Sequence, residues 1–260
     1  MRATAVRRTA LAASVAALTL LATACGGSEP GGSDDAMGGA EAGGARKPAV
    51  KALTAAELEK ASLAQGDVKA HKITKAGPED AVAAADVTSD KEECAPLARA
   101  FYGAEEGKPV AGTKRQVISE PEVDAGDVTE GNAEDVLTSA FDLTSTLLSL
   151  SSYDSETAEG NIATLRKAAA DCAGGFTITM GGDTQKVTGI TEEKVSGGEE
   201  ALAWRLSAEQ DGESAPLTLV ALRQGGTVAT FTSFNLAAAG GKGTLELPSA
   251  VVAAQAAKLA

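Results

Sequence analysis

Side chains able to do covalent or metal chemistry are scarce in this chain, and their scarcity narrows its options. Of 260 residues three are cysteine (Cys25, Cys94 and Cys172) and one is histidine, His71. A single imidazole excludes any site that needs two, and three thiols exclude a four-thiolate zinc centre. A Ser-His-Asp arrangement would have to use His71, which lies between Lys69 and Lys72 and reads as a solvated loop residue. Neither a Gly-x-Ser-x-Gly elbow nor a Ser-x-x-Lys pair occurs. Gly240-Gly241-Lys242-Gly243-Thr244 lacks the glycine spacing and the Lys-Ser/Thr adjacency of a phosphate loop, so it reads as a turn. The acidic stretch 120–135, with Asp124, Asp127, Glu130, Glu134 and Asp135, offers oxygen ligands to a hard cation. Its carboxylates do not alternate as in a calcium loop, and a solvated loop is the expectation. No catalytic residue, cofactor site or metal site is predicted. With 23 basic against 36 acidic residues, no nucleic-acid partner is expected either.

Cys25 belongs to a pattern of its own. Arg2, Arg7 and Arg8 precede an apolar run from Ala10 to Ala24, and no acidic residue comes before Glu29. A charged head, a short apolar middle and small residues at its end make a secretory signal over 1–24. The run is shorter than the roughly 20 apolar residues a membrane span needs. Leu21-Ala22-Thr23-Ala24-Cys25 resembles a bacterial lipobox, although Ala22 stands where the strongest examples carry Leu or Val. That resemblance implies a diacylglyceryl group on the Cys25 thiol, cleavage before it, and a new amine open to palmitate-type acylation. Ordinary cleavage after Ala24, leaving a soluble protein with a free thiol, is the competing reading. Two acyl chains at ~0.8 kcal/mol per buried methylene hold a protein firmly where one holds it reversibly. Cleavage removes three arginines and no acid, leaving 20 basic against 36 acidic residues, a net of −16. Acyl chains on Cys25, not surface charge, would therefore moor the chain to the extracytoplasmic face of the cell membrane.

Residues 25–50 form a tether. Eight of the 25 from Gly26 to Val50 are glycine and almost none could pack, so a disordered coil reaching about 25–30 Å is expected. The domain follows over 51–260. Thr54-Ala55-Ala56-Glu57 is a capping box with Leu53 placed to staple onto Leu58, which predicts a helix to about Ala64 that stops at Gly66. A second helix is predicted over Glu92–Tyr102, where Cys94, Leu97 and Phe101 share a face. Phe141–Ser152 reads as a strand, although its spacing also fits a helix. Asp154 or Ser155 can cap a further helix in which Ala158, Ile162, Leu165, Ala169 and Cys172 form one stripe.

Beyond Gly174-Gly175 the period changes to two. Phe176–Met180, Gln185–Val195, Leu202–Ala208, Leu217–Arg223 and Thr227–Asn235 are strands separated by glycine turns. An α+β fold follows: an antiparallel meander with one apolar face, packed against a few helices. The helix ending at Cys172 and a last helix over Ser249–Leu259 are the candidates to cover that face. Trp204, between Leu202 and Leu206, is expected in the core.

With Cys25 acylated, Cys94 and Cys172 remain as an even pair in an oxidising compartment, each on the apolar face of its helix. A disulfide between them would close 78 residues and contribute roughly 4–4.5 kcal/mol. Two buried thiols and a redox pair are the alternatives, although no Cys-x-x-Cys spacing supports the latter.

Ser152-Tyr153-Asp154-Ser155, Ala168-Ala169-Ala170-Asp171-Cys172 and Gly174-Gly175-Phe176 together resemble a group of actinobacterial surface lipoproteins. Their globular part is similar to the extracytoplasmic sensor domain of PknH-type kinases. Leu53, Leu58, Gly66-Asp67, Val251-Val252, Gln255, Lys258 and Leu259 fit the same group. The resemblance implies a helix cysteine paired within the domain, beside an antiparallel sheet and a cleft for a ligand of unknown identity. Ala169 stands where that group commonly carries Trp, and no ligand residue carries over. The expected function is a non-catalytic binding or sensor-like domain whose ligand is a small molecule, a cell-wall fragment or an envelope protein. Its rivals are a structural, chaperone or lipid-carrier lipoprotein and, further off, an envelope hydrolase.

Overall fold

The computed structural model describes residues 50–77, 80–120, 142–210, 212–241 and 244–260. The expected signal segment, Cys25, the expected tether before Val50 and the acidic stretch beyond Glu120 lie outside the described residues. In chain order the elements are α1 (Ala55–Ala61), β1 (His71–Lys75), β2 (Val87–Ser89), α2 (Ala95–Phe101), β3 (Ala111–Ser119), β4 (Thr144–Ser152) and α3 (Ser155–Asp171). These are followed by β5 (Phe176–Met180), β6 (Asp183–Glu193), β7 (Glu200–Gln210), β8 (Glu213–Gln224), β9 (Thr227–Asn235), α4 (Leu236–Ala239) and α5 (Ser249–Leu259).

The described strands form one antiparallel sheet of nine, in the order β1-β3-β4-β9-β8-β7-β6-β5-β2. The meander expected from Phe176 onward is present and its class is α+β. It supplies half of a wider sheet, because β4 pairs with β9 from Thr144↔Asn235 to Ser152↔Thr227 and brings β3 and β1 behind it.

Both faces of the sheet are covered, where one apolar face was expected. On the first face Leu202, Trp204 and Leu206 of β7 and Leu217, Leu219 and Ala221 of β8 pack with α2 and α3. On the second, Ala203, Val220, Leu222, Ala229 and Phe231 pack with Leu58 of α1 and Val251 and Val252 of α5. The helix ending at Cys172 and the last helix therefore lie on opposite faces. Continuous burial from Leu217 to Arg223 records this, since a strand covered on both sides hides successive residues.

Local chemistry sets the helix ends. Thr54 Oγ1 accepts from Glu57 N and the Glu57 carboxylate accepts from Thr54 N, completing the capping box, and α1 ends at Ala61, sooner than expected. A 3-10 turn over Glu92–Cys94 leads into α2, whose Pro96 falls in the first turn where its missing N–H costs no bond. Asp154 is the residue that caps α3, its Oδ1 accepting from Thr157 N at 2.9 Å. Gly175 then turns the chain at φ +94, and a Cβ there would meet Val187 O at 2.4 Å.

Candidate functional site

The chemistry-bearing residues of the sequence do not converge. Cys94 and Cys172 form a disulfide with 5.9 Å between Cα atoms, and both are fully buried. Trp204 is a core residue, 4% exposed. His71 is not in a loop: it opens β1 at the sheet edge, half-buried, and its Nδ1 lies 2.7 Å from Lys69 O. Among the described residues, no three His, Cys, Asp or Glu side chains are grouped to hold a metal ion. Gly240 and Gly241 follow α4 directly, and Lys242 and Gly243 lie outside the described residues.

The disulfide nevertheless positions a site. It ties the start of α2 to the end of α3, and a cleft opens between these helices above the sheet. Pro96, Ala100 and Ala104 line one wall, and Asn161, Thr164 and Leu165 the other. The floor is Ser149 and Ser151 of β4 beside Thr230 and Val228 of β9, which face each other in register. On the opposite face the same two strands carry Leu148, Leu150, Ala229 and Phe231, all fully buried. Small residues beneath two helices fixed at one end leave space. The cleft measures about 40 Å³, room for roughly three water molecules.

Its polar groups are held in place from behind. Tyr153 OH donates to Glu106 O at 2.8 Å and Ser149 Oγ to Gly103 O at 2.9 Å. Tyr153 N donates to Gly226 O at 2.8 Å across a contact that only glycine permits, since a Cβ at Gly226 would lie 2.3 Å from Tyr153 O. The Glu106 carboxylate accepts twice from Arg99 Nη1, at 3.0 and 3.2 Å. Burial, helped by the charges of Glu105 and Glu106, pushes the Tyr153 hydroxyl up to about 12, so it keeps its proton at neutral pH. Two donors near the cleft have no hydrogen-bond partner: Asn161 Nδ2, on a residue of the cleft wall, and Arg99 Nε, behind Glu106.

A second groove of about 400 Å³ runs from Val50 and Leu53 to Leu259 and Ala260. It is larger, and three of its charged side chains are engaged, Glu57 with Thr54, Glu199 with Arg223 and Lys258 with Asp67, while Lys51 on the same wall has no ion pair among the described residues.

Sequence reasoning passed over Ser149, Ser151, Tyr153 and Asn161. The usable signals were the Leu-Ser alternation of 148–151, which puts hydroxyls on one face, and an amide beside the apolar stripe of α3.

No family model matches this chain and no curated protein matches it. Among solved structures, the extracellular domain of PknH from Mycobacterium tuberculosis is similar over 80% of this chain and 97% of that chain. The TM-score is 0.47 and the identity 13%. No helix among the described residues is long and apolar enough to cross a membrane.

Proposed function

We propose that this chain is a lipid-anchored extracytoplasmic lipoprotein whose domain binds a small ligand in the α2–α3 cleft and catalyses nothing. The observation that carries the binding reading is the cleft between α2 and α3, lined by hydroxyls and apolar groups, with the buried Asn161 Nδ2 left unpaired beside it. The anchoring reading rests on the sequence, where the apolar run and Leu21-Ala22-Thr23-Ala24 place Cys25 for acylation.

The rival functions fare less well on the same geometry. A lipid carrier needs an apolar cavity for acyl chains; the cleft of about 40 Å³ is far below the roughly 300–1,000 Å³ of ligand pockets, and the groove of about 400 Å³ carries Lys51, Glu57, Glu199 and Lys258 on its walls. A hydrolase needs a nucleophile beside a base. The cleft's Ser149 hydroxyl donates to a backbone carbonyl, and its carboxylate, Glu106, is held by Arg99.

Two measurements test the proposal. A fragment library titrated onto the full-length chain should move NMR signals of Asn161, Thr164 and Thr230 together; shifts confined elsewhere would remove the binding reading. Mass spectrometry of the native N-terminal peptide should find a diacylglyceryl group on Cys25, and Cys25→Ala should release the protein into the detergent-free fraction. An unmodified thiol, or an intact Met1, would end the anchoring reading.

A further inference from the structure

The sheet of described strands ends in two edges, β2 with three residues and β1 with five. Along β1 the even residues turn their backbone toward β3: Ala70 O accepts from Glu120 N at 2.8 Å, and Ala76 N donates to Lys114 O at 3.2 Å. His71, Ile73 and Lys75 therefore turn theirs outward, where a further strand would pair. That place is partly taken. The exposed Gln65 carboxamide accepts from Ile73 N at 2.8 Å and donates to His71 O at 3.1 Å, the two bonds that peptide groups of an added strand would make. Ile73 O and Lys75 N, next along the same edge, have no hydrogen bond among the described residues. Gln65 hangs from a turn closed by Asp67 N donating to Ala64 O at 3.1 Å, so its side chain can leave β1 without unfolding it.

Charge decides what can replace it. Lys69, Lys72 and Lys75 stand exposed along this edge, and of the three only Lys75 is ion-paired among the described residues, with Glu59 at 3.2 Å. In a chain of 23 basic and 36 acidic residues this is a local concentration of positive charge. A second copy meeting the edge would bring the same lysines against these and be repelled. A neutral strand would exchange Gln65's bonds for others of the same kind. An acidic strand adds charge pairs as well, with Lys69 and Lys72 free to receive its carboxylates.

We propose that β1 accepts an extended acidic segment of a partner protein as a further strand, and that Gln65 guards the edge until that segment displaces it. Backbone pairing supplies the contact and the lysines supply the choice of partner. The site shares no residue with the α2–α3 cleft, so the two readings stand or fall separately.

The test is a titration of the full-length chain, in a neutral detergent, with three capped hexapeptides, read by NMR at the backbone N–H of Ile73 and Lys75 and at the side-chain amide of Gln65. The peptides alternate threonine with glutamate, with glutamine or with lysine. The glutamate peptide should bind saturably, move all three signals, slow hydrogen exchange at Lys75 N and weaken as salt is raised. The glutamine peptide should bind at least about tenfold more weakly and the lysine peptide not at all. Gln65→Ala, which removes the guard, should tighten glutamate-peptide binding about tenfold. Should that variant not fold, the charge selectivity of the unsubstituted chain decides alone. Equal binding of the three peptides would overturn the acidic partner. Unchanged or weaker binding in Gln65→Ala would overturn the guard. Silence at β1 toward all three peptides, or a Gln65→Ala chain that instead pairs with its own copy in sedimentation, would overturn the proposal as a whole.

Discussion

The two faces of the sheet are covered by helical layers fastened in different ways. On one, a covalent bond joins α2 to α3, and an amide on the cleft wall is left unpaired. On the other, α1 and α5 are joined by an amide with both ends used. Gln255, fully buried, accepts from Leu63 N at 3.1 Å and donates to Ala61 O at 2.7 Å, taking up backbone groups that the end of α1 leaves free. Arg115 adds to this clasp by donating to Leu63 O at 2.8 Å and to Glu59 at 2.8 Å. The Ser62 and Thr218 hydroxyls and Arg99 Nε are also unpaired, but none of the three lines a cleft. One layer is held by an amide with both ends used; the other is held covalently beside an open cleft. A disulfide suits the second arrangement, because it holds two helices together without filling the gap between them.

Breaking each fastening tests the contrast. The largest effect should come from Cys94→Ala with Cys172→Ala. Urea unfolding should show a loss of roughly 4–4.5 kcal/mol, the chain-entropy value for a 78-residue loop. A loss below about 1 kcal/mol would mean that packing alone fixes α2 against α3. Next in size is Gln255→Leu, which strands a buried N–H and a half-buried carbonyl and should cost about 2–4 kcal/mol by the same measurement. Smaller still is the contribution of Glu59. Burial raises its pKa, but hydrogen bonds from Thr113 and Lys75 and the charge of Arg115 carry it below the ordinary 4.5. A lowered carboxyl stabilises the fold fully above its unfolded value, and that stability is lost as pH falls through the folded one. The melting temperature should therefore decline below about pH 4.5, and Glu59→Gln should flatten part of that decline. The share is under about 1 kcal/mol, since the side chain is 40% exposed and solvent screens it.

What the sequence revealed depended on whether a pattern closed locally. Strands β5 to β9 were legible because each pairs with the next across a short turn, so alternation and glycine came together. The cysteine pair was legible from two helix stripes read separately. Strands β1 and β3 were not. His71-Lys72-Ile73-Thr74-Lys75 has one buried apolar residue, Ile73, and its lysines are what a sheet edge uses against unwanted pairing. In β3 the inward position is taken by Arg115, a residue that reads as exposed until Glu59 and Leu63 are brought to it from over 50 positions away. The cleft was hidden for a similar reason. Ser149, Thr230 and Asn161 mean nothing individually, and only the β4–β9 register and the crossing of α3 set them around one space.

Asn161→Leu is the substitution with the smallest expected effect and the greatest power to decide. If the amide is held in reserve, removing a buried donor that has no partner costs nothing, and leucine is the better helix former in α3. Urea unfolding of the unliganded protein should then show stability unchanged or raised by about 1 kcal/mol. A loss approaching that of Gln255→Leu would mean that Asn161 already serves the fold, and the distinction between a holding layer and a binding layer would be gone.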